Sequence, residues 1–123
     1  MAHKVLIVDD NPSVRRAIRS SIEQRAEWIV VGEAENGKIA VVMVGTHQPH
    51  LVILDLSMPV MNGIDAAREI SKVYPDMPMI MFTLHAHDAL YEVARSVGIK
   101  HVFSKAEGMG ERVFDAMRKL LPT

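Results

Sequence analysis

The chain has 123 residues, of which 49% are hydrophobic and 24% charged, and this size and composition predict one globular domain over residues 1–123. The formal net charge is -1 and charges of both signs are interspersed, so binding to nucleic acid or to an anionic membrane is not expected. The absence of cysteine excludes disulfides and thiolate chemistry. Without a signal-peptide pattern or an apolar run of about 20 residues, the sequence suits the cytoplasm.

Five short and almost entirely apolar runs alternate with helical patterns along the chain. They predict β-strands at residues 4–8, 29–33, 51–54, 79–82 and 101–103. Runs that are apolar on both faces are typical of a parallel sheet that helices cover on both sides.

Helical patterns follow these strands. Asn11 is a suitable cap and Pro12 a suitable first residue for the first helix. Its small and apolar residues fall on one face: Val14, Ala17, Ile18, Ser21 and Ile22. The third helix should end before Pro75 and the fourth at Gly98, and each should direct one stripe at the sheet. These stripes are Ile64, Ala67, Ile70 and Tyr74 in the third helix, and Leu90, Val93, Ala94 and Val97 in the fourth. The last helix is predicted at about 111–121.

The segment 38–46 fits either kind of element. It is rich in valine, so propensity alone favours a strand. Neighbouring parallel strands need a crossover helix between them, and this requirement favours a helix. Five βα units without an internal repeat then predict an α/β fold with an open, doubly wound, five-stranded parallel sheet in the flavodoxin-like order 2-1-3-4-5.

Polar side chains gather at the predicted carboxyl edge of this sheet. They are Asp9 and Asp10 after the first strand, Asp55 after the third, Thr83 after the fourth and Lys105 just past the fifth. Because the first and third strands are neighbours, the three carboxylates should converge. Two such charges about 4 Å apart repel by about 4 kcal/mol at an effective dielectric constant of about 20. A bound divalent cation would make the cluster tolerable.

Mg²⁺ suits such a site because it prefers oxygen ligands from one or two carboxylates, keeps bound water and leaves room for a phosphate. Lys105 adds a second positive charge. Phosphoryl transfer requires mainly positioning and charge neutralisation, and a carboxylate can be the covalent acceptor. The residue types therefore favour phosphoryl transfer to a carboxylate.

The same residues resemble a known family, the receiver domains of bacterial two-component response regulators. The matching positions are Asp9-Asp10, Leu-Asp-Leu-Ser-Met-Pro at 54–59, Met-Asn-Gly at 61–63, Thr83 and Lys105. The resemblance covers essentially the whole chain. Gly-Glu-Ala at 32–34 and Lys105-Ala106 also resemble receivers that are attached to helix-turn-helix output domains.

The resemblance implies a role for each residue of the acidic cluster. Asp55 would accept a phosphoryl group from a sensor histidine kinase or a phosphotransfer protein. Mg²⁺, for which Mn²⁺ could substitute, would be held by Asp10, Asp55 and the backbone carbonyl of Ser57. Asp9 would act through metal-bound water.

The resemblance also implies how the signal is passed on. Thr83 and Lys105 would hold phosphate oxygens, and the domain would catalyse only its own phosphorylation and dephosphorylation. A downstream protein or a second copy would bind the face formed by helix 4, strand 5 and helix 5. Candidate contacts on that face are Tyr91, Arg95, His101 and Arg112.

Some positions depart from the family pattern. Val102 stands where receivers usually carry a Tyr or Phe that responds to phosphorylation, and Phe103 should face the opposite side of the sheet. Leu84 stands where a small residue is usual, which predicts restricted access to Asp55 and slower loss of phosphate. Ala106 replaces a frequent cis proline, so a trans peptide bond is expected there.

Other functions fit parts of the sequence. A phosphatase with an aspartyl nucleophile is one, but haloacid-dehalogenase-like enzymes need Asp-x-Asp after the first strand, whereas Asp9 and Asp10 are adjacent. An interaction domain that keeps the fold without phosphorylation is another, and the departures at 84 and 102 favour it. His85 and His87 have no third ligand at a fixed spacing, so surface positions are predicted in preference to a zinc site.

Overall fold

The computed structural model describes residues 2–121, in which five parallel strands form a single sheet. In chain order the strands are β1 (His3–Val8), β2 (Trp28–Ala34), β3 (Leu51–Leu54), β4 (Met79–Thr83) and β5 (His101–Ser104). Their order across the sheet is β2-β1-β3-β4-β5, which confirms the predicted doubly wound topology. Every predicted strand end lies within one residue of the observed end. The predicted domain also includes residues 1, 122 and 123, which lie outside the described residues.

Helices connect the strands and cover the sheet. They are α1 (Pro12–Glu23), α2 (Gly37–His47), α3 (Gly63–Val73), α4 (Asp88–Ser96) and α5 (Glu111–Leu120), with a 3-10 turn at Lys105–Glu107. The first three begin after asparagines whose side chains accept backbone N–H groups of the first turn: Asn11, Asn36 and Asn62. The valine-rich α2 is helical, as the crossover between β2 and β3 requires.

Apolar side chains fill both faces of the sheet, and alternate strand residues divide between the two faces. The face beneath α2, α3 and α4 includes Leu6, Val8, Val52, Leu54, Met79 and Met81. The face beneath α1 and α5 includes Val5, Ile7, Leu51, Ile53, Ile80 and Phe82. Because the strand centres are buried on both faces, polar side chains gather where the strands end.

Two residues that were predicted to face the sheet are instead exposed. Val93 of α4 is 45% exposed, because this helix buries only Leu90 and Ala94 and meets the sheet along a narrow stripe. Tyr74 is 39% exposed, because it follows the last residue of α3 and its backbone has left the helical conformation. Within residues 2–121, no helix is long and apolar enough to cross a membrane.

Candidate functional site at the carboxyl edge

The carboxyl ends of β1 and β3 bring the acidic residues together. Val8 pairs with Leu54 across these strands, and the Asp55 N–H continues the ladder by donating to the Val8 carbonyl at 2.9 Å. Asp9, Asp10 and Asp55 each offer one carboxylate oxygen, and these oxygens lie within 4.8 Å of one another. The predicted convergence of the three carboxylates is confirmed.

Asp9 is almost completely buried, with 1% of its surface exposed. Its Oδ1 accepts the Asn11 N–H at 2.9 Å. Its Oδ2 forms an ion pair with Lys105 Nζ at 2.5 Å, and no other group among the described residues contacts this oxygen as a donor. Such a buried carboxylate is costly unless a cation lies beside it, and Lys105 provides that cation for Asp9.

Lys105 bridges two of the carboxylates. Its Nζ donates to Asp55 Oδ2 at 2.9 Å, and the other oxygen of Asp55 accepts the Leu56 N–H at 2.7 Å. The lysine side chain is only 11% exposed. Lys105 therefore lies within the acidic cluster and not on the open surface.

The pKa values show how burial and charge compete in this cluster. Burial lowers the pKa of Lys105, but the hydrogen bonds and charges of Asp55 and Asp9 outweigh it and raise the pKa above its usual range. Burial raises the pKa of Asp9 by more than Lys105 and the Asn11 N–H lower it. One ammonium group thus leaves three carboxylates incompletely neutralised.

The residues fit a divalent cation that prefers oxygen. Within residues 2–121, the only group of at least three potential His, Cys, Asp or Glu ligands that lie this close together is Asp9, Asp10 and Asp55. All its ligands are oxygens, which suits Mg²⁺ and disfavours zinc. Among the described residues, the one ammonium group in contact with this cluster is that of Lys105, so three carboxylates retain an excess of negative charge that favours a bound cation.

Asp10 and Ser57 line a shared open cleft beside these carboxylates. The cleft has a volume of about 590 Å³, and its other lining residues are Leu56, Met58, Pro59 and Asn62. Its outer wall is the loop between β3 and α3. Ser57, whose backbone carbonyl is predicted to be a metal ligand, therefore lies at the same cleft as Asp10.

The loop after β3 is packed directly against Asp55. The Gly63 N–H donates to the Leu56 carbonyl at 2.8 Å, and a Cβ at position 63 would overlap the Asp55 carbonyl oxygen. Asn62 caps α3 by accepting the Asp65 N–H at 2.9 Å. Glycine at position 63 thus allows the loop to approach the site.

Thr83 ends β4, at the same edge of the sheet. Leu54 pairs with Met81, so Thr83 lies one residue further toward the edge than Asp55. Its side chain is fully buried, and its Oγ1 accepts the His85 N–H at 3.2 Å. The hydroxyl is engaged by its own loop in this structure.

The departures from the family pattern have clear positions. Val102 packs on the α2–α3–α4 face and Phe103 on the opposite face, as predicted. Leu84 is 69% exposed at the carboxyl edge, and its predicted shielding of the site stays a prediction. Between residues 2 and 121 all peptide bonds are trans, including the bond before Ala106.

The two loop histidines are exposed, as predicted for surface residues. His87 also has a structural role, because its Nδ1 accepts the Leu90 N–H at 3.3 Å and caps α4.

One contact at this site was not predicted from the sequence. Arg15, in the first turn of α1, donates from Nη1 to the Asp9 backbone carbonyl at 2.6 Å. The sequence contains only a weak signal for this contact. A cation lies one turn after the helix cap, and an acid, Glu33, lies near the end of the neighbouring strand.

The fold and this edge cluster define a flavodoxin-like α/β domain with an acidic site at the carboxyl edge of its sheet, and comparison with known proteins identifies the family. The family model described as the response regulator receiver domain matches residues 5–115. The chain therefore belongs to the receiver domains of response regulators, a family that acts in two-component signalling. Receiver domains generally bind Mg²⁺ at an acidic pocket and interact with histidine kinases or phosphotransfer proteins.

Relatives and solved structures agree with this assignment. The chain is 36% identical over 115 residues to the transcriptional regulatory protein YdfI of Bacillus subtilis (strain 168), covering 94% of this chain and 53% of YdfI. It is 37% identical over 123 residues to a protein-glutamate methylesterase/protein-glutamine glutaminase of Pseudoalteromonas atlantica, covering 98% of this chain and 32% of that protein. A two-component response regulator of the LuxR family from Aurantimonas sp. SI85-9A1 superposes with a TM-score of 0.90 at 29% identity, covering 98% of this chain and 86% of the other. The chain thus spans about half or less of these two sequence relatives.

Proposed function

We propose that residues 1–123 form one receiver domain in which Asp55 accepts a phosphoryl group from a sensor histidine kinase or a phosphotransfer protein. The observation that carries this proposal is the convergence of three carboxylates, those of Asp9, Asp10 and Asp55, beside the single ammonium group of Lys105. Such a cluster is unfavourable by itself, and a divalent cation would offset its negative charge together with that of an incoming phosphoryl group.

Mg²⁺, or Mn²⁺ in its place, would be held by Asp10, Asp55 and the Ser57 backbone carbonyl, with Asp9 acting through bound water. When bound, the ion would neutralise charge on the transferring phosphoryl oxygens. The oxygen-only ligand set and the excess of three carboxylates over the single Lys105 ammonium group support this assignment.

In the transfer step, a carboxylate oxygen of Asp55 forms a bond to phosphorus while the bond from phosphorus to the donor's histidine nitrogen breaks. The electron pair of the broken bond leaves with that nitrogen. Lys105 Nζ, which now donates to Asp55 Oδ2, would turn to a phosphate oxygen and offset its charge. The Thr83 hydroxyl would donate to another phosphate oxygen.

The response would pass through the loop after β4. Movement of Thr83 Oγ1 toward the phosphate breaks its hydrogen bond from the His85 N–H, and this loop leads directly into the His87 cap of α4. The face formed by α4, β5 and α5 would then bind a downstream protein or a second copy. Candidate contacts are Tyr91, Arg95, His101 and Arg112.

Intact-mass measurement with acetyl phosphate tests the assignment of Asp55. With Mg²⁺ present, the wild-type protein should gain one labile phosphoryl group, and Asp55→Asn should gain none. Chelation of Mg²⁺ should abolish the gain. A phosphoryl group that persists on Asp55→Asn would contradict the proposal.

The same experiment separates the competing functions. Steady release of product from a phosphoester substrate, without a stable mass gain, would favour an aspartyl phosphatase. A protein that neither gains mass nor turns over substrate, yet still binds partners, would favour a phosphorylation-independent interaction domain.

A further inference from the structure

Arg15 connects the acidic cluster to the end of β2. While its Nη1 holds the Asp9 carbonyl at 2.6 Å, its Nε donates to Glu33 Oε1 at 3.0 Å. The arginine side chain is only 16% exposed. Hydrogen bonds made by a charged donor in such a partly dehydrated place are stronger than exposed ones.

Glu33 is held in place on its other side as well. It pairs with Ile7 of β1 in the sheet, and its Oε2 accepts from Arg19 Nη1 at 2.6 Å. Burial raises the pKa of Glu33, but the hydrogen bonds from Arg19 and Arg15 outweigh it and lower the pKa below its usual range. Glu33 therefore stays ionised near neutral pH and fixes the orientation of the Arg15 guanidinium group.

The Asp9 carbonyl belongs to the planar peptide unit that joins Asp9 to Asp10. Fixing this oxygen therefore fixes the orientation of the peptide and the position of the Asp10 Cα atom. Within residues 2–121, Asp10 makes no hydrogen bond of its own. The exposed Asp10 thus depends on the preceding peptide for its placement.

We infer that Arg15, oriented by Glu33, is a positioning residue that holds the Asp9–Asp10 peptide so that both acidic side chains face the cation site. This inference rests on the proposed function, and it adds a residue that touches neither the phosphoryl group nor the metal. Groups that orient metal ligands in this indirect way typically change metal affinity by about 10- to 100-fold when they are removed.

Arginine is suited to this role because two of its nitrogens donate in two directions at once. Lysine keeps the positive charge but has a single nitrogen on a flexible stem, so it cannot reproduce both contacts. Arg19 provides a matched control. It lies on the same helix and binds the same Glu33, but its other partner is Glu23 and it makes no contact with Asp9.

The test compares Arg15→Lys with Arg19→Lys by titrating each purified protein with MgCl₂ alone. Binding is followed by the NMR amide shifts of residues 10 and 11, and thermal unfolding is measured in parallel without Mg²⁺. Arg15→Lys should bind Mg²⁺ about 10-fold more weakly than wild type, while Arg19→Lys should stay close to wild type. Glu33→Gln should weaken binding less than Arg15→Lys does, because it still accepts a hydrogen bond from Arg15.

The outcomes separate this inference from the proposed function. If wild type binds Mg²⁺ but both lysine variants bind it equally well, or are weakened equally, Arg15 has no special positioning role. If wild type itself neither binds Mg²⁺ nor gains a phosphoryl group, the proposed function fails. A loss of thermal stability that is equal in both variants, together with weaker Mg²⁺ binding in Arg15→Lys alone, supports positioning over a general structural role.

Discussion

The two edges of the sheet differ in how completely their polar groups are paired. At the amino edge, the Lys4 N–H donates to His50 Nδ1 at 2.9 Å, and the His50 N–H donates back to the Lys4 carbonyl at 2.8 Å. At the carboxyl edge, three carboxylates lie together, and Lys105 forms ion pairs with two of them, Asp9 and Asp55. The amino edge closes the sheet with matched pairs, whereas the carboxyl edge retains an excess of acceptors.

This difference indicates which edge of a doubly wound sheet carries the functional site. Matched hydrogen bonds such as those between Lys4 and His50 stabilise the native state and need no ligand. An excess of buried acceptors lowers stability, and this cost is offset only by a ligand or a fixed cation. Removal of a lysine charge should therefore change stability much more at the carboxyl edge than at the amino edge.

The largest effect is expected from removing the fixed cation of the carboxyl edge. Lys105→Met leaves the carboxylates without their ammonium partner and should lower the free energy of unfolding by about 3 kcal/mol in chelator at pH 7. The matched change Lys100→Met, at an exposed position just before β5, should alter it by less than about 0.5 kcal/mol. Urea denaturation measures both. Similar changes in the free energy of unfolding for the two variants would contradict the proposed difference between the two edges.

A second comparison uses glycine to probe how closely the chain is packed. Gly63→Ala introduces a Cβ into the Asp55 carbonyl and should lower the free energy of unfolding by about 2 kcal/mol. Gly45→Ala, within α2, meets only the Tyr74 hydroxyl at 3.7 Å and should raise stability by up to about 1 kcal/mol through helix propensity. Thermal unfolding of both variants measures whether each substitution raises or lowers stability. A neutral Gly63→Ala would show that the loop after β3 can move away from Asp55.

The smallest effect concerns pH at the amino edge. Burial, then the charges of Lys4 and His3, lower the pKa of His50 below its unfolded value of about 6.5. The unfolded chain therefore binds more protons just below pH 6.5, so the contribution of His50 to stability is present above that pH and is lost as pH falls. His50→Asn keeps an acceptor for the Lys4 N–H without titrating. Its melting temperature should fall slightly less than that of wild type between pH 7 and pH 5.

Much of the fold and of the site could be predicted because both depend on strand ends. Apolar runs fix the strands, and parallel topology then carries Asp9, Asp10 and Asp55 to one edge. The Arg15 contact could not be predicted in this way, because the direction of a long side chain depends on partners from a distant strand.

The backbone of the loop after β3 was also beyond prediction from sequence. Val60 adopts a left-handed conformation with φ 69°, which a β-branched residue rarely does. No glycine or asparagine at that position signals the turn, so only the packed loop around Asp55 reveals it.

The asparagine caps described above have an electrostatic consequence for anything that approaches Asp55. Asn11 caps α1 just after β1, and Asn62 caps α3 at the end of the loop that follows β3, so the amino ends of both helices lie at this edge. Each helix end carries a partial positive charge of about half a proton charge from its aligned peptide dipoles. The backbone would thus attract the anionic phosphoryl group of an incoming partner. This attraction does not depend on the protonation of any side chain.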